Sequence, residues 1–202
     1  MMWGWPFVRR RGLQATPQPT PDFTSGPQRN PSNVFLIGYR GAGKTTVGKL
    51  LAERLGWPFL DLDEQLEKRH GQSIRDIFEQ YGETGFRRME SALLKEFCGS
   101  FRQVIATGGG AILDASNRET LRNSGRVAWL TADAPTLWRR LQHDPATTDR
   151  RPNLTQGGPE EVEQLLLARE PFYRECADCT VDTANRSPDE AAALILAHLN
   201  LE

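Results

Sequence analysis

From Asn33 to the end of the chain, short runs of consecutive apolar residues alternate with stretches whose apolar positions return every three or four residues. Val34-Phe35-Leu36-Ile37, Val104-Ile105-Ala106 and Val127-Ala128-Trp129-Leu130 are apolar runs of strand length, the pattern of strands covered on both faces. Trp57-Pro58-Phe59-Leu60 leads into a further strand ending at Asp61, and Thr180-Val181-Asp182 makes a last short one. Between them the spacing predicts a helix over about Lys44 to Leu55, with Val47, Leu50, Leu51 and Leu55 on one face. A long helical region runs from about Ser73 to Phe97, interrupted near Gly82 to Gly85, and Ala191, Leu194, Ile195 and Leu199 mark a closing amphipathic helix. Strands that alternate with helices predict the α/β class: a central parallel five-stranded sheet in a three-layer α/β/α arrangement.

Two segments break the rhythm. Residues 1–32 hold six of the 13 prolines, the cluster Arg9-Arg10-Arg11 and a single acid, Asp22. Too little apolar surface is available there to offset chain entropy, so we expect a disordered tail; an arginine-bearing, acid-poor organelle-targeting peptide is the alternative. The second break, about residues 142–159, is polar and glycine-containing and carries Arg150-Arg151. A long loop inside a compact domain is usually functional, and this one is expected to be a mobile lid that excludes water from a reacting phosphate. Residues 33–202 then form one domain.

Composition narrows the class further. With 38% hydrophobic and 25% charged residues and a formal net charge of −1, the chain is that of an ordinary globular protein, without the basic excess that advertises nucleic acid. No apolar stretch reaches the roughly 18 residues of a membrane span, so neither nucleic acid nor membrane is expected as a partner. Three cysteines argue against a disulfide framework and for a cytoplasmic setting, and we expect a monomer. Cys176-Ala177-Asp178-Cys179 is a lone C-x-x-C, read as buried thiols in preference to a redox or zinc site.

The chemistry is concentrated in Gly38-Tyr39-Arg40-Gly41-Ala42-Gly43-Lys44-Thr45, a G-x-x-x-x-G-K-[ST] phosphate loop placed directly after the first strand. Glycines permit the positive φ and close approach by which backbone N–H groups of Gly41, Ala42, Gly43, Lys44, Thr45 and Thr46 surround phosphate oxygens. Lys44 can meet the β and γ phosphates, and Thr45 can hold Mg²⁺ at a helix start whose dipole favours anions. A glycine-rich turn with a chance lysine is the bland alternative.

The acceptor side must decide what is phosphorylated. Asp61 and Asp63 stand at the carboxyl end of the second strand, where open parallel sheets bind ligands, and strand alternation is expected to send both carboxylates the same way. One can support Mg²⁺ and the other orient or deprotonate an attacking hydroxyl; helix capping is the alternative for this pair. Arg87 and Glu90, at i,i+3 on a helix, can pair and stiffen a guanidinium suited to a carboxylate, although a surface ion pair would look the same. Gly108-Gly109-Gly110 ends the third strand and leaves room for a ligand against bare backbone.

The order of these motifs resembles the shikimate kinase family. Phosphate loop, F-L-D-L-D, G-E-x-x-F-R-x-x-E, G-G-G, an R-P in the lid, A-R-x-P-x-Y and V-D-T-x-x-R-x-P occur in sequence from Asn33 to the C-terminus. The resemblance implies a P-loop kinase fold and ATP-dependent phosphorylation of the 3-hydroxyl of shikimate, with Mg²⁺. Asp63 corresponds to the family's catalytic acid, and Arg87, Gly109 and Arg169 to its shikimate-binding residues, with Glu83 and Glu90 in support. Lys44 and Thr45 match the phosphate lysine and the Mg²⁺ ligand, Asp61 the acid behind that ligand. Arg151 matches the lid arginine, and Arg140 and Arg186 align with arginines flanking adenine. The lid here reads Arg-Pro-Asn-Leu where an apolar residue commonly follows the proline, and the interval from Arg140 to Arg151 is long for the family.

Overall fold

The computed structural model describes residues 33–143 and 158–201; the 1–32 tail and most of the expected lid, Arg151 included, lie outside them. Five strands, β1 (Asn33–Ile37), β2 (Phe59–Asp61), β3 (Gln103–Ala106), β4 (Arg126–Thr131) and β5 (Cys179–Asp182), form one sheet in the order β2-β3-β1-β4-β5. Every pairing is parallel. Parallel neighbours need crossovers, and the described residues supply seven α-helices: α1 (Lys44–Leu55), α2 (Leu62–His70), α3 (Ile74–Phe97), α4 (Ala115–Ser124), α5 (Ala134–Gln142), α6 (Gly158–Cys176) and α7 (Pro188–Leu199).

Alternation along β1 explains the three layers. Val34 and Leu36 face a cluster with Val47, Leu51, Leu137, Ile195 and Leu199 of α1, α5 and α7. Phe35 and Ile37 face the other side, with Leu66, Leu93, Leu94, Leu121 and Tyr173 of α2, α3, α4 and α6. All five residues of β1 are buried, which is why Val34 to Ile37 read as unbroken apolar rather than alternating. Helix α1 lies so close to the sheet that a Cβ at Gly48 would collide with the Phe59 ring.

Most helix starts are fixed by side chains. Ser73 and Asp76 make a reciprocal capping box for α3, as do Ser187 and Glu190 for α7, while Asp61, Asp114 and Asp133 cap α2, α4 and α5. The interruption expected in α3 is narrower than the sequence suggested. Only Gly82 leaves helical geometry, at φ 66° and ψ 179°, and Glu83 to Gly85 continue the helix.

The order of strands also fixes where a ligand can enter. From β1 the chain leaves toward β2, and from β4, its neighbour, toward β5 on the opposite side. Their carboxyl ends therefore diverge into a crevice, and the phosphate loop follows β1 into it.

Candidate active site

The loop after β1 is shaped by its glycines. Gly38, Gly41 and Gly43 adopt φ of 141°, 76° and 89°, values that favour glycine. No side chain caps α1, and no acid occupies its first turn, so the positive end of this helix is left to an anion. The Lys44 ammonium donates to Gly38 O at 2.8 Å and Tyr39 O at 2.9 Å, which folds it back over the loop. Thr45 donates its hydroxyl to Asp61 Oδ2 at 2.7 Å.

Asp61 caps a helix and also faces the phosphate-loop threonine. Its Oδ1 accepts from the backbone of Asp63 and Glu64, capping α2, while Oδ2 faces Thr45. Strand alternation does not deliver Asp63, because β2 ends at Asp61 and Asp63 belongs to the first turn of α2. The intervening Leu62 turns into the core instead, fully buried. Asp61 and Asp63 nevertheless line one cavity of about 400 Å³, together with Gly41 to Thr46, Thr107, Gly109, Arg140 and Arg186.

Beyond that cavity the three consecutive glycines make room for three different neighbours. A Cβ at Gly108 would run into Glu90 and stand 3.2 Å from Asp63 Oδ1. At Gly109 it would press on the backbone of Gly38 and Arg40, and at Gly110 on the Arg87 guanidinium. Arg87 donates to Glu90 at 2.7 Å and to Glu83 at 3.3 Å. Glu90 is fully buried and Glu83 two-thirds exposed, so the stronger constraint comes from below the guanidinium. Burial disfavours the Arg87 charge, but the two carboxylates outweigh it and hold its pKa above the ordinary arginine value.

Arg169 arrives from α6 on the other side of the glycines, its Nη1 3.4 Å from Gly109 O. The same carbonyl accepts a 2.7 Å bond from the Tyr173 hydroxyl. Burial pushes the Tyr173 phenol far above its usual pKa, against the pull of Arg169, so it remains a donor. Arg87, Glu83, Glu90 and Arg169 thus gather around the glycine loop, outside the lining of the 400 Å³ cavity.

At the other end, Arg140 donates to Gly41 O and to both Thr183 Oγ1 and Thr183 O, the last at 2.6 Å. Thr183 in turn reaches Ala42 O, 141 residues away in sequence. Exposed Arg186 donates to Asp182 O, with Ser187, Pro188 and Ala191 completing the wall. Thr183 and Tyr173 stand inside motifs legible in the sequence, V-D-T-x-x-R-x-P and A-R-x-P-x-Y, but their roles in bracing loops were not. Tyr39 and Arg40 occupy unspecified positions of the phosphate-loop motif and Thr107 precedes the three glycines, so none carried a signal of its own.

A family model described as shikimate kinase matches residues 40–200. The chain belongs to the shikimate kinase family. A shikimate kinase of Rhodopirellula baltica is 45% identical over 167 residues, 82% of this chain and 89% of that protein. One of Cupriavidus pinatubonensis is 44% identical over 170 residues, 84% and 86% of the two chains. The fold agrees with a shikimate kinase from Acinetobacter baumannii solved in complex with shikimate, at a TM-score of 0.77 and 40% identity over 83% of this chain and 92% of that one. None of the described helices is long and apolar enough to cross a membrane.

Proposed function

We infer that this shikimate kinase family member transfers the γ-phosphoryl group of ATP to the 3-hydroxyl of shikimate, giving shikimate 3-phosphate and ADP on the route to chorismate and the aromatic amino acids. The observation that carries the reading is the arrangement of Asp63, Arg87 and Arg169 about one glycine loop that abuts the phosphate loop. An anionic ring acid needs guanidinium groups for its carboxylate and an acid for its hydroxyl, and this loop brings both against a phosphate-binding turn.

Phosphoryl transfer is catalysed chiefly by position and by stabilising charge, so no covalent nucleophile is required. Asp63 aligns the attacking hydroxyl and accepts its proton as the bond to phosphorus forms. Lys44 stabilises charge on the transferring oxygens, and Arg151 of the lid is assigned the same task from its R-P motif. Arg87, stiffened by Glu90, and Arg169 hold the substrate carboxylate, while Gly108, Gly109 and Gly110 admit the ring. Arg140 and Arg186 flank the adenine.

The Thr45 hydroxyl and the Asp61 carboxylate offer oxygens to a hard cation, a donor set that fits Mg²⁺ held mainly by nucleotide phosphates. When bound, Mg²⁺ neutralises charge on the β and γ phosphates. A monomer is the assembly proposed, and three free cysteines suit the cytoplasm.

The test is ADP release coupled to a reporter, with and without shikimate, beside gluconate and nucleoside monophosphates as acceptors. Release that depends on shikimate is expected. Equal or greater turnover with another acceptor would reject this assignment.

A further inference from the structure

Tyr39 belongs to the phosphate loop by its backbone and to the acceptor side by its ring. Its carbonyl accepts from Lys44 at 2.9 Å and from the Ala42 N–H at 3.2 Å, so its main chain is part of the turn that surrounds phosphate. Its side chain is 2% exposed and belongs to the buried cluster that includes Ala42 and Val47. The Arg169 guanidinium carbon stands 5.5 Å from the centroid of the Tyr39 ring. That is within the range at which the electron-rich face of an aromatic ring attracts a cation.

Among the described residues, the polar neighbours of Arg169 include the Gly109 carbonyl and the Tyr173 hydroxyl beside it. The Arg169 hydrogen bond to Gly109 O is long, 3.4 Å, and the shorter bond of that carbonyl goes to Tyr173. A guanidinium carries considerable rotamer freedom, and each substrate contact must offset the cost of ordering it. The Tyr39 ring supplies a surface that restricts it without competing for its N–H donors, which lie in the guanidinium plane and remain available to a carboxylate.

We propose that Tyr39 is a positioning residue of the acceptor site, its ring holding Arg169 in the orientation that receives the substrate carboxylate, so that a residue inside the nucleotide loop sets affinity for the ring acid. The inference rests on the proposed assignment of Arg169 to that carboxylate. It also predicts a split that a general packing role does not. Weakening the ring face should raise the KM for shikimate, while the KM for ATP and kcat stay near wild type, because the Tyr39 carbonyl is unchanged.

The test replaces Tyr39 in the full-length enzyme and measures both KM values and kcat. Tyr39→Leu is expected to raise the shikimate KM about five- to tenfold, and Tyr39→Phe, which keeps the ring face, to stay within about twofold of wild type. Should the leucine variant fold poorly, phenylalanines bearing increasing fluorine in place of Tyr39 keep the shape and drain the ring face; the shikimate KM should climb with each fluorine. An unchanged shikimate KM across the fluorinated series, or equal rises in both KM values, would overturn the inference. Wild-type enzyme that releases no ADP with shikimate would instead overturn the assigned reaction and the inference together.

Discussion

The phosphate-binding turn is drawn from one contiguous stretch, Gly38 to Thr45, and acts largely through backbone, whereas the acceptor end gathers side chains from α2, α3 and α6 about the glycine loop after β3. Different physics fixes each. Positive φ at Gly38, Gly41 and Gly43 is a local property, set by residues that lack a Cβ. The place of Arg87 depends instead on a buried acid one helical turn away and on a glycine from another element that leaves space for the guanidinium. A loop of the first kind needs little from the rest of the fold. A pocket of the second kind exists only once four elements have packed.

Two alanine substitutions separate the ends most sharply. Asp63→Ala should lower kcat about a hundred- to ten-thousand-fold, the range for removing a residue that handles the transferred proton, while nucleotide binding by calorimetry is retained. Lys44→Ala should cost about a hundred- to thousand-fold in turnover and also weaken ATP binding. If Asp63→Ala lost ATP affinity as well, the two ends would not be separable and Asp63 would belong to the nucleotide side.

How much of this was legible follows from the same contrast. The phosphate loop, β1, α1 and the Asp61 strand end could be read because their signals are local: an apolar run, a fixed glycine pattern and a 3.6-residue period. Helices α4, α5 and α6 were not individually assigned. Helix α4 buries only Asn117 and Leu121, and α5 is short, with Pro135 at its start beside an Asp133 cap. The converging role of the three glycines was visible only as a surplus. What each one clears, Glu90, the Gly38 to Arg40 backbone and Arg87, lies elsewhere in the chain and required the packed structure. Strand alternation was the argument that put Asp63 beside Asp61, yet it is the helical turn begun by the Asp61 cap that brings it to the same cavity.

The acceptor end should also be the more fragile in stability. Glu90 is fully buried beneath an Arg87 that is about one-fifth exposed, so Glu90→Ala removes the counter-charge and the support together. Breaking a buried pair from one side typically costs several kcal/mol; because exposed Glu83 still reaches Arg87, we expect about 2–4 kcal/mol from urea unfolding. Thr45→Ala, on the nucleotide side, should change the same midpoint far less. Gly110→Ala sharpens the point without removing a charge. Its Cβ would displace the Arg87 guanidinium, raising the shikimate KM about tenfold at nearly constant ATP KM.

A smaller effect is expected where the nucleotide end does depend on distant residues. The Thr183 hydroxyl accepts from Arg140 at 3.0 Å and is shared between Ala42 O and Thr131 O at 3.2 and 3.1 Å. Thr183→Val keeps the shape and loses this brace, and one hydrogen-bonding group of that kind corresponds to about a threefold to fivefold rise in the ATP KM. A matching rise for shikimate would mean that the brace serves the whole site.

The weakest effect belongs to neither end and serves as a control for both. Cys176 closes α6 and packs in the cluster on one face of the sheet, while Cys179 opens β5 and packs in the cluster on the other. Burial, chiefly, pushes each thiol from 9.0 up to about 11. A thiol whose pKa is raised by folding keeps more of its proton in the folded state, so its contribution is fully present below pH 9 and is lost as pH rises through about 11. The urea midpoint should therefore decline over that window, and less steeply in a Cys176→Ala, Cys179→Ala variant, with both KM values at neutral pH unchanged. Maleimide should label these two thiols slowly in the native protein and readily in urea. Rapid native labelling at pH 7.5 would show the C-x-x-C segment to be open and reactive, and would place a third chemically active region beside the two compared above.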